Sequence, residues 1–403
     1  MNKKTVIILL LALVAVVGQA QVKCHIKGEL RDTTKGNTVI ICPAEVDLRV
    51  SDNYITTKAD AQGRFSFDVE TDKIGLYRVF LHEQYKSGSW SYKKFIVENN
   101  ATVSLLFDDD KWTVSSDGNE QMKKTEMDAE AERLYISKMD SLMTDVMKEL
   151  QPRIEELQRQ GKDPREDSLS IKRYQEFLVE NHKLYAQYKA WEYEYYRAHP
   201  MLFALYDIAN QMQSKDEEYD EKAKALMNLY HSTYENYHPD NPIHNTIHAL
   251  ETGWKQTPGN PYIDFEVLTT EGKRVNVASL YRGKVAVIDL WASWCGPCRK
   301  HSKELIPLYE KYKKMGLVVI GIAREEEVSR MTQAAEKDGY PWQNYIDLKD
   351  ELKVWQKNGL AFSGGGMFLI DRNGTILSTS TDADELEPLI RKALGLSDEA
   401  QEK

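Results

Sequence analysis

Val285-Ala286-Val287-Ile288-Asp289-Leu290-Trp291-Ala292-Ser293-Trp294-Cys295-Gly296-Pro297-Cys298 decides how this chain folds and what chemistry it carries. An apolar run ending in two tryptophans reads as a buried strand, and the Cys-x-x-Cys after it falls where a helix begins. Two cysteines three apart across that turn can close a disulfide. The helix N-terminus favours the thiolate of the first. The constellation is that of thiol–disulfide exchange.

Working outward, Pro258-Gly259-Asn260-Pro261 marks a boundary, and Phe265-Glu266-Val267 with Val275-Asn276-Val277 reads as a leading hairpin. After the strand to Trp291, a helix runs from Gly296 to about Lys314, and Leu317 to Ile322 is a second buried strand. Glu326 to Lys337 is a further helix. Met367 to Asp371 and Thr375 to Leu377 flank the turn residues Asn373-Gly374, and Glu385 to Ala393 closes the segment as a helix. The order β-α-β-α-β-β-α predicts an α/β thioredoxin fold over residues 258–396.

Two other zones precede it. Residues 21–118 hold short β-rich runs separated by Asp32–Asn37, Ala61-Gln62-Gly63 and Asn99-Asn100, and predict a small all-β antiparallel sandwich. Cys24 and Cys42 fall on consecutive strands of it. A structural disulfide between them is the favoured reading in an oxidising compartment, with two independent buried thiols as the alternative. Residues 119–250 turn helical: Tyr135, Met139, Leu142, Val146 and Leu150, then Tyr174, Phe177, Leu184, Tyr188, Trp191 and Tyr195, recur at spacings of three and four. Pro152 is expected to end or kink the first of these helices. The aromatic stripe reads as core packing, with a client-binding groove as the competing reading.

Residues 1–20 carry Lys3 and Lys4, an apolar run from Val6 to Val17, and Gly18-Gln19-Ala20, the layout of a secretory signal peptide. The run is shorter than the roughly 20 residues a span needs. Lys23 before Cys24 disfavours a lipoprotein, because a lipidation signal wants a small residue there. The expectation is a periplasmic or otherwise exported protein, soluble after cleavage. The net charge of −10 argues against nucleic acid, whose phosphates need a basic surface. No metal is expected: His244 and His248 stand four apart near His231 and His238, but no acidic or cysteine partner completes a set.

Residues 258–396 resemble the TlpA/ResA-type branch of the thioredoxin superfamily, grouped with AhpC/TSA-like proteins. The likeness rests on Asp264-Phe265, Gly283-Lys284, the block from Asp289 to Cys298, Gly316 with its following strand, and Phe368-Leu369-Ile370-Asp371. Residues 21–118 resemble in layout the β-rich domain of unknown function that often precedes exported thioredoxin domains. The resemblance implies Cys295 as attacking thiolate, Cys298 as the buried resolving cysteine, and Asp289 as proton acceptor for Cys298, the alternative for Asp289 being a tolerated core acid. Trp294 and Pro297 would shape the surface around Cys295. The redox-active Cys295–Cys298 pair would need no cofactor.

The chain departs from the family at two places. His301, three residues after Cys298, stands where relatives often carry glutamate; it either tunes a thiol pKa or faces solvent. Thioredoxin-like proteins place a cis-proline opposite the disulfide, and counting back six from Asp371 gives Gly365, within Ser363-Gly364-Gly365-Gly366. Glycine lets a backbone approach closely, so Gly364, Gly365 and Gly366 stay candidates for pairing with an extended substrate. The expected function is an exported thiol–disulfide oxidoreductase working as a reductase. Its clients would be disulfide-containing exported proteins or apocytochromes, and a membrane electron donor would re-reduce it. The alternatives are a disulfide oxidase or isomerase, or a client-binding scaffold. A peroxidase is disfavoured, because Ala292 stands where peroxiredoxins need Thr or Ser.

Overall fold

The computed structural model describes residues 22–87, 91–213, 219–361 and 363–396. The signal peptide expected over residues 1–20 lies outside them. Among the described residues no helix is long and apolar enough to cross a membrane.

The N-terminal part is a sandwich of two four-stranded sheets. Its elements are β1 (Val22–Leu30), β2 (Thr38–Pro43), β3 (Ile55–Lys58), β4 (Arg64–Thr71), β5 (Gly75–Leu81), α1 (His82–Ser87), β6 (Lys93–Val97), β7 (Thr102–Asp108) and β8 (Lys111–Ser116). The strand orders are β4-β1-β7-β8 and β3-β2-β5-β6. Every pairing is antiparallel except β1 with β7, which corrects the all-antiparallel expectation. Side chains alternate along β1: Val22, Cys24 and Ile26 face the space between the sheets, and Lys23, His25 and Lys27 face out.

The disulfide expected between Cys24 and Cys42 does not form; both are buried free thiols. β1 pairs with β4 and β7, whereas β2 pairs with β3 and β5, so the two cysteines sit in different sheets. Alternation separates them further. Val39 and Ile41 of β2 join Cys24 in the inter-sheet core, whereas Cys42 points to the opposite face with Ile40 and Phe80.

The helical part comprises α2 (Asn119–Ala131), α3 (Ser137–Arg159), α4 (Ser168–Ala198), α5 (Leu202–Gln211), α6 (Tyr219–Leu229) and α7 (Ile243–Trp254). α2 passes into α3 through one π-helical turn, and α3 continues through Pro152 to Arg159 rather than ending there. Val146, Leu150 and Phe177 zip α3 to α4. The larger core gathers α5, α7 and the buried rings of Tyr230 and Tyr234, and it takes in Leu76 and Ile96 from the sandwich and Ala361 from the C-terminal part. His244 belongs to this framework: Nδ1 meets the Tyr230 hydroxyl at 2.8 Å and Nε2 lies 3.1 Å from the Tyr237 carbonyl.

The C-terminal part runs β9 (Glu266–Leu268), β10 (Arg274–Asn276), α8 (Val277–Tyr281), β11 (Val285–Trp291), α9 (Gly296–Tyr312), β12 (Leu317–Glu325), α10 (Val328–Asp338), β13 (Asn344–Leu348), α11 (Val354–Lys357), β14 (Gly366–Ile370), β15 (Ile376–Ser378) and α12 (Ala383–Leu394). Its sheet orders as β10-β9-β13-β12-β11-β14-β15, with β11, β12 and β13 parallel and β14 antiparallel to β11. This is the α/β thioredoxin fold. β13 is the strand missing from the sequence reading; Asn344 and Asp347 interrupt its apolar character. α7 is joined closely to α11: a Cβ on Gly253 would lie 2.1 Å from the Gln356 carbonyl oxygen, so only glycine permits that approach.

Candidate active site

β11 is buried along its whole length, and it ends beneath the turn that carries the cysteines. The backbone N–H of Cys295 donates to the Ala292 carbonyl at 3.0 Å, which closes that turn. Cys295 is then the N-cap of α9, its Sγ accepting from the Cys298 N–H at 3.3 Å, with Pro297 in the first helical turn, where a missing N–H costs nothing. Cys295 and Cys298 are joined as a disulfide, Cα atoms 5.4 Å apart. Both are half-buried, and Cys298 also packs against the core around Trp291, Ala323 and Met331. Gly296 and Pro297 are exposed.

The residue before Trp294 is gripped from two sides. Ser293 donates its N–H and its hydroxyl to the buried Glu325 at the end of β12, the hydroxyl at 2.9 Å. Its carbonyl accepts from Arg299, whose guanidinium is also held by both oxygens of Asp338 at 2.6 and 2.9 Å. Burial pushes the Glu325 carboxyl up, and the Ser293 donors oppose that. Sequence reasoning passed over Glu325, Arg299 and Asp338. An acid closing an otherwise apolar strand was the available signal for the first.

Asp289 lies in mid-strand on β11, between Gly321 of β12 and Met367 of β14, and is 1% exposed. Neither of its carboxyl oxygens has a hydrogen-bond partner among the described residues. Desolvation raises its pKa from 3.8 to about 7, and the nearby Ser302 hydroxyl opposes the rise. Asp289, Cys295, Cys298 and His301 line one pocket of about 290 Å³, together with Gly364, Gly365 and Gly366. The pocket therefore brings a disulfide and an unpaired acid that titrates near neutrality to one place. Such an acid can take a proton from a thiol that is about to attack.

His301 lines the pocket from the second turn of α9 and sits 3.2 Å from a Glu304 oxygen. On the opposite wall the glycine loop lies directly on the sulfurs. A Cβ on Gly364 would stand 2.4 Å from Cys295 Sγ, and one on Gly365 would stand 1.9 Å from the Leu290 carbonyl oxygen. No described peptide bond is cis. The position at which the resemblance places proline thus has no room for a Cβ, and proline carries one. Trp294 is half-buried, its indole N–H enclosed without an acceptor among the described residues.

Residues 258–379 match the model of the AhpC/TSA family. Among curated proteins, the chain is 28% identical over 134 residues to the thiol-disulfide oxidoreductase ResA of Geobacillus kaustophilus, covering 33% of this chain and 74% of the relative. It is also 28% identical over 158 residues to a phospholipid hydroperoxide glutathione peroxidase of Solanum lycopersicum, covering 33% of this chain and 93% of that one. Among solved structures, the thioredoxin domain of a thiol-disulfide oxidoreductase from Bacteroides vulgatus aligns at 22% identity over 34% of this chain and 98% of that one, with a TM-score of 0.32. The C-terminal part of the chain is a TlpA/ResA-type thioredoxin-like domain, and the protein that carries it is a thiol–disulfide oxidoreductase.

Proposed function

We propose that the protein is an exported reductase of protein disulfides, with Cys295 as nucleophile, Cys298 as resolving thiol and Asp289 as its proton acceptor. The observation that carries this reading is the shared pocket of Asp289 and the Cys295–Cys298 pair. In the reduced enzyme, the Cys295 thiolate at the start of α9 is stabilised by the helix N-terminus and the Cys298 N–H. It attacks one sulfur of a client disulfide, forming a mixed disulfide and releasing the first client thiolate. Asp289 takes the proton of Cys298. The Cys298 thiolate then attacks Cys295 Sγ, closing the enzyme disulfide and releasing the second client thiolate. Two electrons pass to the client, which takes up two protons, and a reducing partner must return two electrons to the enzyme.

The clients would be disulfide-containing exported proteins or apocytochromes, and the reducing partner a membrane electron donor. Trp294, Pro297 and the Gly364–Gly366 loop flank the sulfurs and would receive the client backbone. Residues 21–118 and 119–250 would stand before the catalytic unit as a β-rich and a helical region packed on it.

The deciding measurement is the reduction potential of the Cys295–Cys298 pair, titrated against a dithiol buffer. A value near that of thioredoxin, about −270 mV, supports a reductase; one near about −120 mV makes the protein an inserter or shuffler of disulfides instead.

A further inference from the structure

We propose that Arg49 of the sandwich is a positioning residue of the thiol–disulfide site, holding the Trp294 face on which a client polypeptide docks. The inference rests on the reductase reading above and extends its site beyond the thioredoxin fold. Each residue leading into Cys295 is tied in place. The Ala292 carbonyl is held by the Cys295 N–H, and Ser293 by Glu325 and Arg299. The tie on the Trp294 side chain comes from the sandwich: the Arg49 guanidinium carbon lies 4.6 Å from the centre of the indole ring.

Tryptophan offers the best ring for a cation of this kind, because its negative π-cloud attracts the guanidinium that stacks on it. Arg49 is also fixed from behind. Asp47 accepts from its backbone N–H at 3.0 Å and from its side chain through both carboxyl oxygens at 2.6 to 3.1 Å. Asp47 in turn meets Arg324 of β12 at 3.2 Å, and Arg324, 3% exposed, meets Asp350 at 3.0 Å. A second ion pair, Lys349 with Asp52 at 3.0 Å, joins the same loop to the thioredoxin fold. The loop after β2 is therefore anchored to the catalytic part by a chain of charges buried at its Arg324–Asp350 end, and Arg49 is the exposed end of that chain which reaches the redox turn.

Burial of the Trp294 ring under Arg49 fixes one border of the surface around Cys295, and the glycine loop fixes another. A small disulfide reaches the sulfur without using either border, whereas a polypeptide must lie along them. Arg49 should accordingly act on the capture of protein clients and leave the chemical step alone.

The test uses the full chain with insulin and with 2-hydroxyethyl disulfide as substrates. Arg49→Ala is expected to raise KM for insulin about three- to tenfold, with kcat within about twofold and little change toward the small disulfide. Arg49→Lys keeps the cation but loses the fork onto Asp47, and should recover part of the loss. Arg31→Ala, which breaks an exposed ion pair with Asp108 in the same sandwich, is the charge control. An unchanged insulin KM in Arg49→Ala overturns the positioning role while leaving the reductase reading intact, as does an equal rise in the Arg31→Ala control. A wild-type chain inert toward both disulfides removes the reductase reading and this inference with it.

Discussion

The chain holds two pairs of cysteines, and they stand in opposite surroundings. Cys24 and Cys42 are 1% and 0% exposed, lie on the two faces of different sheets, and are both driven toward the protonated thiol by desolvation. Cys295 and Cys298 are half-buried at a helix start, joined to one another, and share a pocket with an unpaired acid. Cysteine is as much a small hydrophobe as a nucleophile, and its surroundings choose between the two roles. Arg78 illustrates how little a neighbouring cation can do alone: its guanidinium lies 3.6 Å from Cys42 Sγ, yet burial still wins.

The largest expected effect follows directly. Cys295→Ser should lower disulfide turnover by about a thousandfold or more, since it removes the proposed nucleophile. Cys24→Ala and Cys42→Ala should stay within about twofold of wild type in the same assay. Loss of turnover in either sandwich variant would break the division between the pairs. Cys298→Ser should sharpen it, by trapping clients as mixed disulfides on Cys295 alone.

Asp289 comes next. Its carboxyl is unpaired and titrates near 7, so resolution by Cys298 should accelerate as pH rises through that value, and Asp289→Asn should be slower by about a hundredfold and lose the inflection near 7, its Cys298 proton going to solvent instead. The same burial opposes folding of the charged form. A pKa raised from 3.8 to about 7 means that stability present below pH 3.8 is lost as pH rises through 7. Asp289→Asn should therefore be more stable than wild type by about 4 kcal/mol at pH 8, and nearly equal to it at pH 3. Urea unfolding of the oxidised proteins at the two pH values measures this. Equal stability at pH 8 would mean that the carboxylate is solvated and that its acid–base role lacks a basis.

The glycine loop keeps the redox pair approachable, as the closed core around Cys24 does not. Gly365→Pro forces a Cβ toward the Leu290 carbonyl, and is expected to cost about 1–3 kcal/mol of stability in the oxidised protein. Placing there the proline that the family resemblance implies would thus damage this chain. An unaltered urea midpoint would show that the loop can retreat from β11.

What could be read beforehand follows how local each feature is. The strand, turn and helix around Cys295 are written in consecutive residues, and Asp289 is six positions away on the same strand. The pairing of Cys24 with Cys42 needed knowledge of which strands are neighbours. Proximity in sequence suggested a hairpin, yet β1 and β2 enter different sheets. β13 escaped notice because Asn344 and Asp347 break its apolar run, although Asp347 in fact turns inward to accept the N–H groups of Leu352 and Val354. The grip of Glu325 on Ser293 spans 32 positions, and the contact of Arg49 with Trp294 joins separate layers of the molecule. No periodicity or motif encodes contacts of that kind.

The smallest expected effect discriminates most finely. If Cys24 and Cys42 are independent core residues, each alanine substitution removes one sulfur from a separate cluster, costing about 1 kcal/mol apiece. Residues without shared partners add, so the double variant should lose the sum to within about 0.5 kcal/mol. A disulfide predicts another pattern: the first substitution abolishes the cross-link and costs about 2–4 kcal/mol, and the second adds little. Urea unfolding of the two single variants and the double variant decides between these patterns. Thiol counting on the unfolded, oxidised wild type should agree with it, returning the two free thiols of the sandwich while Cys295 and Cys298 remain joined. Additive small losses would establish the sandwich cysteines as packing residues, leaving the Cys295–Cys298 turn as the place where this chain exchanges disulfides.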